Sequence, residues 1–162
     1  MAKRMPIWGV GPKIMAPTFS YLAVVGIATY LWPSIFLIRA VPYAFFLVPG
    51  VVLLAIGLPM LVVAVVSVKA AYKKDELATK GIFGVARNPI YAAWIVFNIP
   101  GLVLLLRSWP MFFAPFLAYA LFKMLVGKEE KYLEERFGQA YGEYKARVPE
   151  LVPWPRTRYK ME

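Results

Sequence analysis

The chain has 162 residues, of which 60% are apolar and 17% charged, and it carries a net charge of +10 with neither cysteine nor histidine. Soluble domains average about 45–50% apolar and about 25% charged residues, so this composition excludes an ordinary soluble domain and a disordered chain. The lack of Cys and His excludes disulfides and thiolate nucleophiles. It also removes the commonest metal ligand and general base, so we expect no metal site.

Four apolar stretches follow one another along the chain, at residues 16–38, 42–68, 89–106 and 109–126. Each is long enough for a bilayer-spanning helix, which needs about 17–25 mostly apolar residues, and none has the polar face of a surface helix. All nine acidic residues lie outside them, at Asp75 and Glu76 or from Glu129 onward. The sequence therefore predicts one all-α integral membrane domain over residues 1–162, with about four transmembrane helices.

Basic residues predict the orientation of these spans. Arg39 and Arg107 are the only basic residues in the first and third connections, whereas the other 17 lie near the N-terminus, around the loop at 69–88, or from Lys123 onward. Short loops rich in Lys and Arg face the cytoplasm. We therefore expect a multi-pass protein with both termini and the second connection in the cytoplasm.

The loop before the third apolar stretch has internal structure. Gly81 and Gly84 permit backbone conformations closed to other residues and allow a ligand to approach closely. Pro89 suits the first turn of a helix, and the asparagine before it, Asn88, is expected to cap that helix. The loop thus ends at a helix N-terminus, which attracts anions.

Arg87 is placed by this pattern just outside the membrane, and Tyr91 follows in the first helical turn, near enough to join the same site. A purely structural interpretation of these residues stays open at this point. In it Arg87 is a basic flank of the span, Asn88 is an ordinary cap, and Tyr91 anchors the helix at the interface.

The segment at 127–162 begins with a helical pattern. Apolar residues recur every three or four positions, which marks one helical face, at Leu133, Phe137, Tyr141, Tyr144 and Val148. Gly138 lowers helix propensity, so we expect two short helical pieces around it. Glu130 lies one turn before Leu133, where a carboxylate leaving the membrane is partly desolvated and needs a partner. The pattern predicts a C-terminal interfacial amphipathic helix.

Two motifs together resemble the isoprenylcysteine carboxyl methyltransferase and phospholipid methyltransferase superfamily of integral membrane enzymes. The first motif consists of Leu77, Gly81, Phe83, Arg87, Asn88, Pro89 and Tyr91. The second consists of Glu129, Glu130, Leu133, Phe137, Gly138, Tyr141 and Tyr144. The resemblance covers roughly residues 69–155. It implies methyl transfer that depends on S-adenosylmethionine and releases S-adenosylhomocysteine, at the membrane–cytoplasm interface.

The resemblance also implies roles for individual residues. It assigns Arg87, Glu130 and Tyr91 to catalysis. The residues that it implies for cofactor binding are Gly81, Phe83, Gly84, Val85, Arg87, Asn88, Glu129 and Glu130. For the acceptor it implies Tyr91, Trp94 and Tyr141, with membrane lipids and a lipophilic small molecule as partners.

Three departures from the family pattern leave the acceptor open. Asn88 stands where the carboxyl-methylating branch usually has His, Phe83 stands where Tyr is common, and Ala92 and Ala93 replace a frequent glycine. A prenylcysteine carboxylate, an amino headgroup and a small apolar thiol all remain candidates for the methylated group.

Two other classes compete with this interpretation. The NADPH-dependent sterol reductases resemble the same C-terminal half, but here no acidic residue follows the Pro89 motif before Glu129. A non-catalytic scaffold that binds anionic lipid explains the charge of +10, since a basic surface gains about 1 kcal/mol per Lys or Arg near such a membrane. Nucleic acid is not expected as a partner, because the basic residues flank the spans.

Overall fold

The computed structural model describes residues 8–152, in which all regular structure is helical. Four of the helical segments are long and apolar enough to cross a membrane, at Gly11–Leu31, Ala44–Lys74, Pro89–Leu106 and Trp109–Phe137. The predicted all-α integral membrane fold is confirmed. Residues 153–162 of the predicted C-terminal segment lie outside the described part of the chain.

The first half of the bundle consists of α1 (Gly11–Leu31), the short α2 (Pro33–Phe36) and α3 (Ala44–Lys74). The first helix begins and ends earlier than the predicted stretch at 16–38. It ends at Leu31 because Pro33 restricts the backbone of Trp32, which adopts φ −128° and ψ 63°. Helix α3, which is the second span, extends to Lys74, six residues beyond the predicted end, because nothing in its last two turns breaks a helix.

The third span, α4 (Pro89–Leu106), changes its winding in the middle. It is α-helical over Pro89–Ala92 and Ile99–Leu106, and between them Ala93–Asn98 forms a π-helical turn. The Ile99 N–H donates to the Trp94 carbonyl five residues earlier, which is the π pattern.

The fourth span begins with a 3₁₀ turn at Trp109–Phe113 and continues as α5 (Ala114–Phe137). No residue between Val126 and Glu129 breaks it, so the predicted interfacial helix starts as a continuation of the span. It ends where Gly138 adopts φ +52°, and α6 (Gln139–Arg147) follows, as the two-piece pattern predicts.

The four spans pack as two pairs with a shared core. Helix α3 packs on α4, and α1 packs on α5. The pair α3 and α4 approaches closely at Gly101, whose added Cβ would lie 3.0 Å from the carbonyl oxygen of Gly50. The buried core contains Ile14, Ile99, Val103 and Phe122, all 1% exposed or less.

The two ends of the bundle are distinct. At the far end the first and third connections meet, since the Ile38 N–H donates to the Arg107 carbonyl at 3.0 Å. At the opposite end, which we call the site end, the loop between α3 and α4 meets α6 and the end of α5. Tyr144 Oη donates to the Phe83 carbonyl there at 2.7 Å.

Candidate functional site

Two adjoining cavities open at the site end. The span cavity, of about 450 Å³, lies among α1, α3 and α4, and its apolar wall includes Met15, Leu61, Val65, Val68 and Trp94. The end cavity, of about 130 Å³, lies among the ends of α3 and α5 and helix α6, and its lining includes Asp75, Glu76, Tyr132, Arg136 and Tyr141. Five residues line both cavities: Val68, Phe83, Arg87, Asn88 and Glu129.

The loop between α3 and α4 supplies three of the residues that line both cavities, and its conformation depends on one glycine. Gly81 has φ +61°, a conformation that other residues rarely adopt, and it starts the 3₁₀ turn Gly81–Gly84. This turn buries Phe83, and the bond from Tyr144 to the Phe83 carbonyl holds it against α6. Arg87 follows this turn by three residues and is buried.

Arg87 is buried and is only partly satisfied. Its Nη1 donates to Glu130 Oε1 at 2.8 Å, whereas its buried Nε has no hydrogen-bond partner within residues 8–152. Buried polar groups are nearly always hydrogen-bonded, so an unpaired guanidinium nitrogen beside two cavities is available to a ligand that can accept a hydrogen bond.

Glu130 is neutralised by two cations. Besides Arg87, Lys145 of α6 lies with its Nζ 2.9 Å from Glu130 Oε2, and it also contacts Glu134 at 2.7 Å. The hydrogen bonds to Glu134 and Glu130 raise the pKa of Lys145 above its ordinary value. Glu130 lines neither cavity, and its two oxygens contact Arg87 and Lys145.

Glu129 differs from its neighbour. Its Oε2 accepts from Tyr91 Oη at 2.9 Å and, at a longer 3.5 Å, from the Val10 N–H. Among the described residues, no Lys or Arg forms an ion pair with it. The N-terminal turn packs directly on this carboxylate, because a Cβ added to Gly9 would lie 2.5 Å from Glu129 Oε2. Glu129 therefore presents, at the boundary of both cavities, an acidic group that no cation of residues 8–152 pairs with.

Two tyrosines of α6 complete the end cavity. Burial and then the charge of Glu130 raise the pKa of Tyr141 to about 12. Burial likewise raises the pKa of Tyr144 above its ordinary value. Both phenols therefore stay protonated at physiological pH, and Tyr144 donates to the Phe83 carbonyl.

Aromatic rings shape the span cavity. Tyr91 packs on Phe122 with ring centres 5.2 Å apart, and Trp94 meets the edge of Phe19 of α1 at 5.4 Å. At the site end of this cavity, Lys69 Nζ lies 5.3 Å from the centre of the Trp8 ring. The cavity is thus apolar along the spans and polar where Arg87, Asn88, Tyr91 and Glu129 border it.

The residues predicted from the sequence are distributed over several places. Both cavities are lined by Phe83, Arg87, Asn88 and Glu129. The span cavity alone is lined by Tyr91 and Trp94, and the end cavity alone by Tyr141. Three predicted residues, Gly84, Val85 and Glu130, line neither, and Gly81 lies on a separate surface groove. The structure therefore does not place Tyr141 with Tyr91 and Trp94.

The predicted cap at Asn88 is wrong. Its side chain makes no capping hydrogen bond at the start of α4, and its Nδ2 instead donates to the Glu150 carbonyl at 3.3 Å. The Asn88 N–H also donates to the Glu150 carbonyl, at 3.0 Å, so the backbone and the side-chain amide of Asn88 are both held at residue 150.

Sequence reasoning also missed two groups of residues. The N-terminal turn at Trp8, Gly9 and Val10 contacts Glu129, and nothing in its sequence pattern signals this. Residues 148–151 lie against Arg87 and Asn88. The sequence does contain one signal for the second group. Lys123 is a cation near the end of an apolar stretch, and such a cation requires an acidic partner. That partner is Glu150, whose Oε2 lies 2.7 Å from Lys123 Nζ.

Comparison with known proteins gives two kinds of match. The family model described as phospholipid methyltransferase matches residues 45–140. Among curated proteins, the chain is similar to a protein-S-isoprenylcysteine O-methyltransferase B from Arabidopsis thaliana, with 29% identity over 79 residues, and to a protein-S-isoprenylcysteine O-methyltransferase from Dictyostelium discoideum, with 30% identity over 83 residues.

These relatives are longer proteins. The matches cover 49% and 50% of this chain but only 40% and 35% of the relatives. No solved structure matches the chain at a significant level. The family model and both relatives agree with the resemblance that the two sequence motifs carry.

Proposed function

The chain belongs to the phospholipid methyltransferase family, and from that premise we propose that it transfers a methyl group from S-adenosylmethionine to a lipid-like acceptor. One observation carries this proposal. Arg87 and Glu129 stand at the boundary of two adjoining cavities, one enclosed by membrane spans and one bordered by charged and phenolic residues. Such a boundary suits a reaction between a polar donor and an apolar acceptor.

The residues at the boundary fit the amino-acid part of the cofactor. The unpaired Nε of Arg87 can donate to a carboxylate, and Glu129, which has no cationic partner among the described residues, can accept from an ammonium group or ribose hydroxyls. Asn88 and Phe83 would supply further contacts, since both line the two cavities. When bound, S-adenosylmethionine supplies a methyl group attached to a positively charged sulfur.

The span cavity would hold the acceptor. Its wall is built from residues of α1, α3 and α4, so an apolar chain can leave the bilayer and remain in an apolar environment. A volume of about 450 Å³ lies within the 300–1,000 Å³ that small-molecule sites usually have. Tyr91 and Arg87 would orient the polar end of the acceptor, which the proposal leaves as a carboxylate, an amine or a thiol.

Catalysis of this kind requires no covalent help from the protein. A displacement at a methyl group depends on alignment of the two reactants, and holding them in place can lower a barrier by about 7–11 kcal/mol. The residues of this chain would therefore bind, orient and exclude water. Glu130 and Lys145 would act by fixing the position of Arg87.

The proposal also includes an orientation. Because the far end carries only Arg39 and Arg107 whereas the site end carries many more basic residues, the site end would face the cytoplasm. Both cavities would then be reached from the compartment where a polar nucleotide-like cofactor is available.

The test is calorimetric titration of the detergent-purified protein with S-adenosylhomocysteine, which requires no knowledge of the acceptor. We expect one-to-one binding in the micromolar range and at least tenfold weaker binding for Glu129→Gln, about 1.4 kcal/mol. Glu135→Gln, an exposed change on the same helix, is the matched control and should bind normally.

A flat titration with a sample shown to be folded would overturn the proposal, and binding of NADPH instead would favour the reductase class. After a positive titration, transfer of a labelled methyl group into membrane lipid extracts would identify the acceptor. Unchanged affinity of Glu129→Gln would remove that carboxylate from the cofactor site.

A further inference from the structure

Residues 148–151 run alongside the loop that carries Arg87. The Arg87 N–H donates to the Pro149 carbonyl at 2.8 Å, and the Asn88 N–H donates to the Glu150 carbonyl at 3.0 Å. Two successive amides of the loop thus bind two successive carbonyls of the segment. Because a backbone fixed in this way cannot turn freely, these bonds determine the direction in which the Arg87 side chain leaves the chain.

The segment is anchored at both of its ends by burial. Val148 packs into the small cluster with Tyr141 and Tyr144, and Leu151 belongs to the main core of the bundle. The segment therefore connects α6 to the membrane-spanning helices across the loop.

One ion pair fastens the middle of the segment to a span. Lys123 Nζ of α5 lies 2.7 Å from Glu150 Oε2, and Glu150 is the residue whose carbonyl binds both the main chain and the side chain of Asn88. The two side chains are 47% and 24% exposed. Such pairs are weak in bulk water, but the medium at the end of a membrane span is less polarisable, which strengthens attraction between charges.

We propose that residues 148–151 form a strap that positions Arg87, and that Lys123 and Glu150 are positioning residues that hold this strap in place. The strap lies outside the residues 45–140 that match the family model. The expected effect of the strap on cofactor affinity rests on the function proposed above, whereas the existence of the strap does not depend on that function.

Charge reversal tests the strap directly. We expect Lys123→Glu and Glu150→Lys each to accelerate hydrogen exchange of the Arg87 and Asn88 amides at least tenfold, measured by NMR in detergent micelles, because repulsion opens the bonds that protect them. The double variant, in which the attraction is restored with the signs exchanged, should return to within threefold of the wild-type rates.

A matched control exists on the same helix. Lys131 and Glu135 form an exposed pair at 3.9 Å, so reversing that pair should leave both amides unchanged. Glu150→Gln, which keeps the size of the side chain, should act in the same direction as Glu150→Lys with a smaller effect. Single reversals that leave exchange unchanged, or a double variant as fast as the singles, would overturn the strap.

Affinity for S-adenosylhomocysteine tests the positioning role. We expect about fivefold weaker binding in each single reversal and recovery in the double variant. If the amides respond while the affinity does not, the strap is structural and the positioning of Arg87 is refuted. If the wild-type protein does not bind S-adenosylhomocysteine, the proposed function fails, and the exchange rates still decide whether the strap exists.

Discussion

At the far end of the bundle, polar side chains form neutral hydrogen bonds and no buried polar atom is left unpaired, whereas at the site end buried charged groups form ion pairs and leave one nitrogen unpaired, among the residues that the structure describes. The Thr29 and Ser108 hydroxyls share a 2.7 Å hydrogen bond, and Trp109 Nε1 donates to the Ile35 carbonyl. Arg87 instead joins Glu130 and keeps a free Nε.

This difference separates stabilising polar groups from groups arranged for a ligand. A closed set of hydrogen bonds lowers the energy of the folded state and has no capacity left for another molecule. A set of buried charges that is only partly satisfied costs stability, and it is retained where a ligand completes it. Variants at the site end should therefore change ligand binding, and variants at the far end should change the stability of the fold.

The largest effect is expected from Arg87→Gln. Removing the guanidinium abolishes donation to a ligand and leaves Glu130 with Lys145 as its remaining cation, so we expect at least a hundredfold loss of methyl transfer and of affinity for S-adenosylhomocysteine. The control is Arg107→Gln at the far end, where the guanidinium lies over the Tyr43 ring. Equal losses in the two variants would abolish the distinction between the ends.

A substitution between the ends should affect folding more than binding. In Gly57→Ala the new Cβ would clash with Asn98 Oδ1 and would lie 2.7 Å from Phe97 Cβ, so we expect a loss of about 1–3 kcal/mol in the free energy of unfolding. Denaturation in detergent measures it. The double variant with Asn98→Ala should recover part of this loss, because it removes the amide that the Cβ meets. Full stability of Gly57→Ala alone would contradict the close packing of α3 on α4.

A smaller effect is expected at the far end. Ser108→Ala removes one buried hydrogen bond, while Thr29 keeps its bond to the Val25 carbonyl, so we expect a loss of about 1 kcal/mol in stability. Affinity for S-adenosylhomocysteine, measured in parallel, should be unchanged. A change in affinity without a change in stability would place function at the far end as well.

The smallest effect concerns pH. The folded pKa of Tyr141, about 12, lies above the ordinary value for a phenol, so its contribution to stability is fully present below pH 10 and is lost as the pH rises from 10 through 12. The stability difference between wild type and Tyr141→Phe should therefore be constant from pH 7 to 9 and change only above 10. Absence of any change above pH 10 would mean that Tyr141 is less buried than described, and a change between pH 7 and 9 would contradict the raised pKa.

The spans and the two motifs could be predicted because their signals are local. Apolar length identifies a span, and the loop before Pro89 shows its glycines and its arginine within a few residues. The sequence also indicates that Glu130 needs a partner, but it does not indicate which residue that partner is. Arg87 lies 43 residues away, and no periodicity relates the two positions.

The same limit explains the wrong cap and the missing strap. Asn88 and Glu150 are 62 residues apart, and they meet through tertiary contacts, among them the packing of Val148 and Leu151 and the Lys123–Glu150 ion pair. The different environments of Glu129 and Glu130 were equally hidden, because adjacent residues on a helix point in directions about 100° apart and the sequence does not say what each one meets.

The π-helical turn at Ala93–Asn98 has a consequence for how this span tolerates insertions and deletions. A π turn acts as one residue added to an α-helix, so it shifts the rotational phase of everything beyond it by about 100°. Here Tyr91 faces the span cavity and Gly101 faces α3, and the extra residue between them sets the angle between those two faces. Deleting one residue within the turn should yield a regular α-helix that keeps both faces, whereas deleting one residue on either side of it should force one face out of register.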